Sequence, residues 1–173
     1  MKPPLNVKFS NDFQTPPFAL NSLLPYLKKE WRIWECAAGK GNLVHALKEK
    51  GFEVIGTDID EGYDFLQWQP EKFDMILTNP PFSLKQQFLE RCYQLKKPFA
   101  LLLPLTIFET KDRQRLFRDF GVQVIFMPNR VNFETPSGKG SGSWFATCWI
   151  TNGLNLPQTL IFSRLEFKAG EYI

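Results

Sequence analysis

Residues Thr78-Asn79-Pro80-Pro81-Phe82 follow the apolar stretch Phe73-Asp74-Met75-Ile76-Leu77. They form a rigid acceptor cluster at the end of a strand. The Asn79 side-chain oxygen and the Pro80 carbonyl can both accept hydrogen bonds from one amino group. Pro81 fixes its own φ and pushes Pro80 into an extended conformation, which holds those acceptors in place. Phe82 offers a face for a planar ring. A planar group bearing an amino nitrogen, such as adenine, is what this set is suited to hold and activate. Asn79, Pro80, Pro81 and Phe82 are therefore the catalytic candidates, with Phe82 also a substrate contact. An ordinary Pro-Pro turn has the same local form, so the assignment depends on what else the chain carries.

A second motif lies upstream. In Arg32-Ile33-Trp34-Glu35-Cys36-Ala37-Ala38-Gly39-Lys40-Gly41-Asn42 a short apolar strand runs into a loop of small residues, and Leu43-Val44-His45-Ala46-Leu47 then reads as a helix. Ala37, Ala38, Gly39 and Gly41 let a ligand approach the backbone closely. Such a βα turn is the nucleotide-side cradle of open α/β sheets. The dinucleotide spacing G-x-G-x-x-G is absent, and no G-K-[ST] follows to make a phosphate loop. A third element, Phe52-Glu53-Val54-Ile55-Gly56-Thr57-Asp58, reads as a strand ending in an acid. Asp58 lies 23 residues after Glu35, near the roughly 20-residue spacing at which an acid reaches ribose hydroxyls. Asp60 and Glu61 read as solvated loop acids.

The order of these motifs resembles the S-adenosylmethionine-dependent amino-group DNA methyltransferases, which act on N6 of adenine and carry an Asn-Pro-Pro-Phe motif. The likeness covers about residues 10–150. It implies a Rossmann-like class I methyltransferase fold with S-adenosylmethionine as cofactor. It also implies that Asn11-Asp12-Phe13-Gln14-Thr15-Pro16-Pro17 corresponds to the family's Phe-x-Thr-Pro element. Phe13 and Thr15 would then touch the methionine end of the cofactor. Asp64-Phe65-Leu66 resembles the motif beside the cofactor's adenine. The implied cofactor contacts are Phe13, Thr15, Glu35, Cys36, Ala37, Gly39, Gly41, Asp58, Asp64, Phe65 and Asn79. The Asn-Pro-Pro-Phe run is shared with methyltransferases of guanine amino groups in RNA and of glutamine in proteins. Both remain alternatives to DNA as the acceptor. A non-catalytic cofactor-binding accessory subunit is a further alternative, against which the intact run argues.

Composition fits a single catalytic domain over residues 1–173. Apolar residues make up 43% and charged residues 23% of the chain, as in ordinary globular proteins. No segment approaches the roughly 18 apolar residues of a membrane span, and the N-terminus lacks the apolar core of a signal peptide. Cys36, Cys92 and Cys148 show no metal-ligand spacing and read as reduced thiols in or near the core of a cytoplasmic protein. No metal is expected. His45, the only histidine, reads as a helix-packing residue. Net charge is +3, unevenly placed: residues 1–82 carry 9 Lys and Arg against 11 Asp and Glu, and residues 83–173 carry 12 against 7. A basic second half suits a polyanion, although ordinary scatter of surface charge has the same appearance.

The elements that must position these residues alternate between the two periodicities. Residues 1–15 read as irregular, and Pro16 to Lys28 has helical spacing broken at Pro25. Strands are expected at 32–36, 53–57, 73–78, 99–103 and 122–126. Helices are expected at 41–50, closed by Gly51, at 84–95, capped by Ser83, and at 111–119. Trp144 to Thr151 and Thr159 to Ser163 read as closing antiparallel strands. The pattern predicts an α/β fold: a mainly parallel sheet with helices on both faces.

Two features depart from the family. Only about 15 residues separate the second strand from the strand before Asn79, so the third βα unit is expected to be shortened or lost. No stretch is long enough for a separate target-recognition domain, so specificity is expected to come from loops or a partner, or to be slight. The loop over 128–142 is the candidate, with Arg130 and Lys139 expected to contact a nucleic-acid backbone. A surface hairpin without that role is the alternative.

Overall fold

The computed structural model describes residues 15–135, 138, 139 and 145–164. Among the described residues there are nine strands, three α-helices and several 3-10 turns, with the helices between strands in the first part of the chain and β5 to β9 following in succession. β1 (Arg32–Glu35), β2 (Glu53–Gly56), β3 (Met75–Thr78), β4 (Phe99–Pro104), β5 (Gln123–Phe126), β8 (Thr147–Asn152) and β9 (Leu160–Phe162) form one sheet, in the order β2-β1-β3-β4-β8-β5-β9. β6 (Glu134–Thr135) and β7 (Gly138–Lys139) pair as a small separate hairpin.

β1 to β4 run parallel to one another. β8 is inserted antiparallel between β4 and β5. The sequence suggests that β9 is antiparallel too, but it pairs parallel to β5, with Ile125 opposite Ile161. The span between Phe126 and Leu160 includes all of β8. The chain therefore goes out along β8 and returns, and that return restores the parallel sense.

Both faces of the sheet are covered, because successive side chains of a buried strand point to opposite sides. Ile33, Met75, Leu77, Ala100, Leu102, Ile125 and Trp149 pack on one side with α1 (Asn42–Glu49). Trp34, Ile76, Phe99, Leu101, Leu103, Val124 and Ile150 pack on the other with Phe88, Leu89, Cys92 and Tyr93 of α2 (Lys85–Leu95). α3 (Lys111–Phe120) lies on this second side, with Leu116 and Phe117 against the same cluster. All three cysteines are buried and unpaired.

α1 ends as its sequence implies. The Gly51 N–H donates to Lys48 O at 2.9 Å and the Phe52 N–H to Leu47 O at 3.1 Å, and Gly51 has φ +81°. This is the double C-terminal bond that favours glycine. Residues 16–28 are interrupted as expected, since Pro25 has no N–H to donate, but they are wound as 3-10 turns at Pro17–Leu20 and Leu24–Tyr26 and not as α-helix. One expectation fails. The N-cap of α2 is Leu84, not Ser83, because Phe82–Leu84 is wound as a 3-10 turn that continues into the helix.

The third βα unit is absent. Between β2 and β3 there is a 3-10 turn at Ile59–Glu61 and no strand, so β2 is a sheet edge. Aromatic side chains fill the space such a unit would cover. Trp34 packs against Phe65 and Phe73 at ring distances of 5.2 and 5.0 Å, and Phe65 stacks on Phe88 at 4.6 Å. The Trp34 indole donates to Thr57 Oγ1 at 2.8 Å, which satisfies its one polar atom inside the core. No helix of the described residues is long and apolar enough to cross a membrane.

Candidate active site

Strand order reverses between β1 and β3: β2 lies outside β1 on one side, and β4 lies beyond β3 on the other. Open α/β sheets bind ligands at such a point, beyond the carboxyl ends of the strands. A cleft of about 450 Å³ opens there, within the range of small-molecule sites. Its walls come from the loops after β1, β2 and β3.

The loop after β1 is shaped by its own backbone. Gly39 and Gly41 have φ of +51° and +84°, a left-handed conformation that costs side-chain-bearing residues steric strain. Gly41 is the N-cap of α1. The loop is tied to the acid after β2. Asp58 Oδ2 accepts from the Gly39 N–H at 2.8 Å, and Oδ1 accepts from the Asp60 N–H at 3.1 Å. Each carboxylate oxygen keeps a further acceptor direction. Asp58 thus fixes the glycine loop and still faces the cleft.

Glu35 closes the floor. It is 1% exposed, and its Oε1 accepts from the Ala37 N–H at 3.0 Å. Burial raises its pKa to about 7, and negative Asp58 adds to the rise. The Thr78 hydroxyl, close by but outside hydrogen-bonding geometry, and the Ala37 amide oppose it. Cys36 beside it is pushed up as well, mainly by burial and then by Glu35, so its thiol stays protonated.

The far wall is Asn79, Pro81, Leu84 and Phe88. Asn79 is half-buried and Pro80 buried. Of the residues expected to hold a cofactor, Thr15, Glu35, Cys36, Ala37, Gly39, Asp58, Asp64, Phe65 and Asn79 all line this cleft. Thr15 is 3% exposed. Its segment is held in place by the bond from Trp149 Nε1 to Ala19 O at 2.9 Å. Asp64 also organises its own turn: Oδ1 accepts from the Leu66 N–H at 2.9 Å and Oδ2 from Gln67 Nε2 at 2.7 Å.

Other candidates lie elsewhere. Gly41 does not line the cleft; it starts α1 and abuts the His45 ring. Phe13 falls outside the described residues. Phe82 is half-buried, its ring edge-on to Phe133 at 5.9 Å and to Phe145 at 5.3 Å. Phe82 thus belongs to a three-ring cluster with Phe133 and Phe145 and does not line the cleft. Arg130 is exposed after β5, and Lys139 lies on β7, where only the backbone is described. Arg130 does not line the cleft.

Sequence reasoning missed Tyr63, which lines the cleft, is 40% exposed and packs on Trp68 at 4.6 Å. Asp60, read as a solvated acid, is exposed and also lines the cleft. A loop standing where a βα unit is lost has no periodicity to reveal such contacts.

The charge of the cleft is one-sided. Among the described residues that line it are Glu35, Asp58, Asp60 and Asp64, and no Lys, Arg or His. Phosphate-bearing ligands are disfavoured in such a field. A ligand carrying positive charge and ribose hydroxyls suits it, and S-adenosylmethionine, a sulfonium with an amino group, meets both requirements. The residues present therefore fit that cofactor.

No protein-family model matches the sequence, and no curated protein matches it. Solved structures do resemble it. A protein assigned as a class I S-adenosylmethionine-dependent methyltransferase from Listeria monocytogenes superposes with a TM-score of 0.61 at 16% identity, over 92% of this chain and 67% of that one. A protein assigned as an RNA methyltransferase from Pyrococcus horikoshii gives 0.54 at 14% identity, over 87% of this chain and 90% of that one. A type I restriction-modification methyltransferase subunit from Streptococcus thermophilus gives 0.53 at 16% identity, over 84% of this chain. This chain spans only 44% of that subunit. At these identities the likeness establishes the fold, which is the class I methyltransferase fold.

Proposed function

We propose that this protein transfers a methyl group from S-adenosylmethionine to an exocyclic amino nitrogen, and that the acceptor is N6 of adenine in DNA. One observation carries the reading: a cleft whose charged lining residues, among those described, are all acidic is tied to a glycine loop through Asp58 and shares its far wall with Asn79 and Pro81. The cation-binding side and the amino-acceptor side are thus one continuous surface.

The cofactor, when bound, supplies an activated methyl group on a sulfonium. In this reading Asp58 accepts from ribose hydroxyls, Thr15 and the glycine loop hold the methionine end, and Phe65 and Tyr63 flank the adenine. Asn79 and the Pro80 carbonyl do the work on the acceptor. An amine conjugated to a ring is a poor nucleophile because its lone pair is delocalised. Accepting both amino hydrogens favours the pyramidal nitrogen and frees that pair. These bonds strengthen as positive charge develops on nitrogen, so they stabilise the transition state more than the ground state. The nitrogen loses its extra proton after transfer, so no general base is needed beforehand. Alignment of the reacting atoms contributes up to roughly 7–11 kcal/mol in favourable cases. A target in duplex DNA must be flipped out at a cost of a few kcal/mol. Stacking on Phe82, about 1–3 kcal/mol per base, offsets part of that.

Charge placement favours a nucleic-acid acceptor. The cleft acids sit beyond β1 and β2, whereas Lys85, Lys111 and Arg130 follow the carboxyl ends of β3, β4 and β5. A polyanion crossing β3 to β5 meets cations and avoids the acidic cleft. The whole chain acts as one catalytic domain in this reading, and its specificity comes from loops or a partner.

The test is incubation with methyl-labelled cofactor and separate pools of DNA, RNA and protein. Label in N6-methyladenine of DNA is the expected result. Label confined to RNA guanine or to protein glutamine would move the acceptor assignment. No label in any pool would leave cofactor binding without catalysis.

A further inference from the structure

We propose that Glu35 is a proton-linked counter-charge: it holds a proton in the empty cleft and releases it to solvent when the cationic cofactor enters. The inference rests on the cofactor assignment above and adds to it a coupled equilibrium.

The geometry is unusual for a buried acid. Buried carboxylates are ordinarily paired with a cation. Glu35 is 1% exposed, and no cationic side chain lines the cleft it faces among the described residues. Its surroundings can be taken element by element. Directly after its own strand comes the protonated Cys36 thiol. From the end of β2 comes Asp58, which is negative. From β3 comes the Thr78 hydroxyl. The loop supplies one N–H, from Ala37, at 3.0 Å. Asp60 and Asp64 face the same space from the segment after β2. His45 and Lys40 belong to the glycine loop and α1 but do not line the cleft.

Glu35 thus lies buried at the floor of a cleft whose other acids, Asp58, Asp60 and Asp64, are half-buried or exposed, and among the described residues its hydrogen-bonded donor is the Ala37 N–H. Mutual repulsion and desolvation are relieved most simply if the most buried one is neutral. Its pKa near 7 agrees with this. A ligand that brings positive charge inverts the balance, because an opposite charge nearby favours the ionised carboxylate. Binding and ionisation then promote each other by linkage. The reaction is balanced: the neutral carboxyl and the cation give an ion pair and one proton in bulk water. Three consequences follow. The cleft selects cations over neutral or anionic nucleosides. Affinity rises about tenfold per pH unit up to about pH 7 and levels off above it. Near neutrality, small changes in pH alter cofactor occupancy.

The test is calorimetry of S-adenosylmethionine binding to the whole protein, in buffers of different ionisation enthalpy. Close to one proton should be released per cofactor at pH 6, and about a tenth of one at pH 8. Glu35→Gln should abolish the release and make affinity independent of pH between 5.5 and 7.5, to about twofold. A readout that needs no variant is infrared spectroscopy of wild-type protein with isotope-labelled Glu. The protonated-carboxyl band should disappear when cofactor is added at pH 6. Binding without proton release, release that survives in Glu35→Gln, or a band that persists on binding would overturn the proposal. No binding at pH 8, where Glu35 is already ionised, would remove the cofactor assignment itself, and this inference with it.

Discussion

Glu35→Gln without cofactor isolates the cost of burying this acid. The carboxyl pKa rises from its ordinary 4.5 to about 7 in the folded protein. Between those values the unfolded chain ionises Glu35 while the folded chain keeps its proton. The unfolded state then binds fewer protons, so stability falls as pH rises through this window and is flat above it. At 1.36 kcal/mol per pKa unit, the full loss is roughly 3 kcal/mol. Most of it, about 2–3 kcal/mol, falls between pH 5 and pH 8. Gln cannot ionise, and its side-chain oxygen can still accept from the Ala37 N–H. Its amide N–H2 needs a partner, and failing to find one costs about 1–3 kcal/mol. That cost is the same at every pH, so the informative quantity is the pH dependence of the difference between variant and wild type. Relative to wild type, Glu35→Gln should gain about 2–3 kcal/mol on going from pH 5 to pH 8. In a chain of this length that corresponds to roughly 5–10 °C in Tm. Circular dichroism melts of both proteins across that range provide the measurement. A difference that stays constant with pH would mean that Glu35 ionises normally and that the floor is open to water.

Asp58→Ala should weaken S-adenosylmethionine binding by about 1–3 kcal/mol, the range for a hydrogen bond to a charged group, and it should also loosen the Gly39 loop; calorimetry measures the first effect and amide exchange the second. Asn79→Ala should leave cofactor affinity nearly intact while slowing methyl transfer at least about 100-fold, and turnover near wild type would make Asn79 a turn residue only. Phe133→Ala, which removes a 5% exposed ring from beneath Phe82, should cost about 3–5 kcal/mol of stability, read from urea unfolding. Replacing Arg130 and Lys139 with Ala should make the dependence of log DNA affinity on log salt shallower by up to about 1.8, alike for all sequences because phosphate contacts do not read bases; an unchanged slope would leave the 128–142 loop without a backbone-binding role.

Much of the fold and most of the cleft were legible in the sequence, for local reasons. Alternating strand and helix periods place β1 to β5 within a residue or two. The small-residue loop after Glu35, the acid at Asp58 and the Pro-Pro turn after Thr78 are each specified by backbone preferences of a few consecutive residues. A parallel sheet then brings the carboxyl ends of their strands to one edge, so nine of the expected cofactor contacts meet in one cleft. The short span before β3 likewise announces the missing third unit. What depended on contacts between distant residues was not legible. The parallel sense of β9 depends on where β8 inserts. The state of Phe82 depends on Phe133 and Phe145, which lie more than 50 residues further along the chain. Tyr63 lies in the segment between β2 and β3, packs on Trp68 and lines the cleft. The raised pKa of Glu35 depends on its burial and on Asp58, which the segment after β2 brings beside it. Sequence determined the local conformations and the chemistry that each motif could offer; tertiary packing decided which groups share a wall and which lose their water, because desolvation and Coulomb terms act through space and not along the chain.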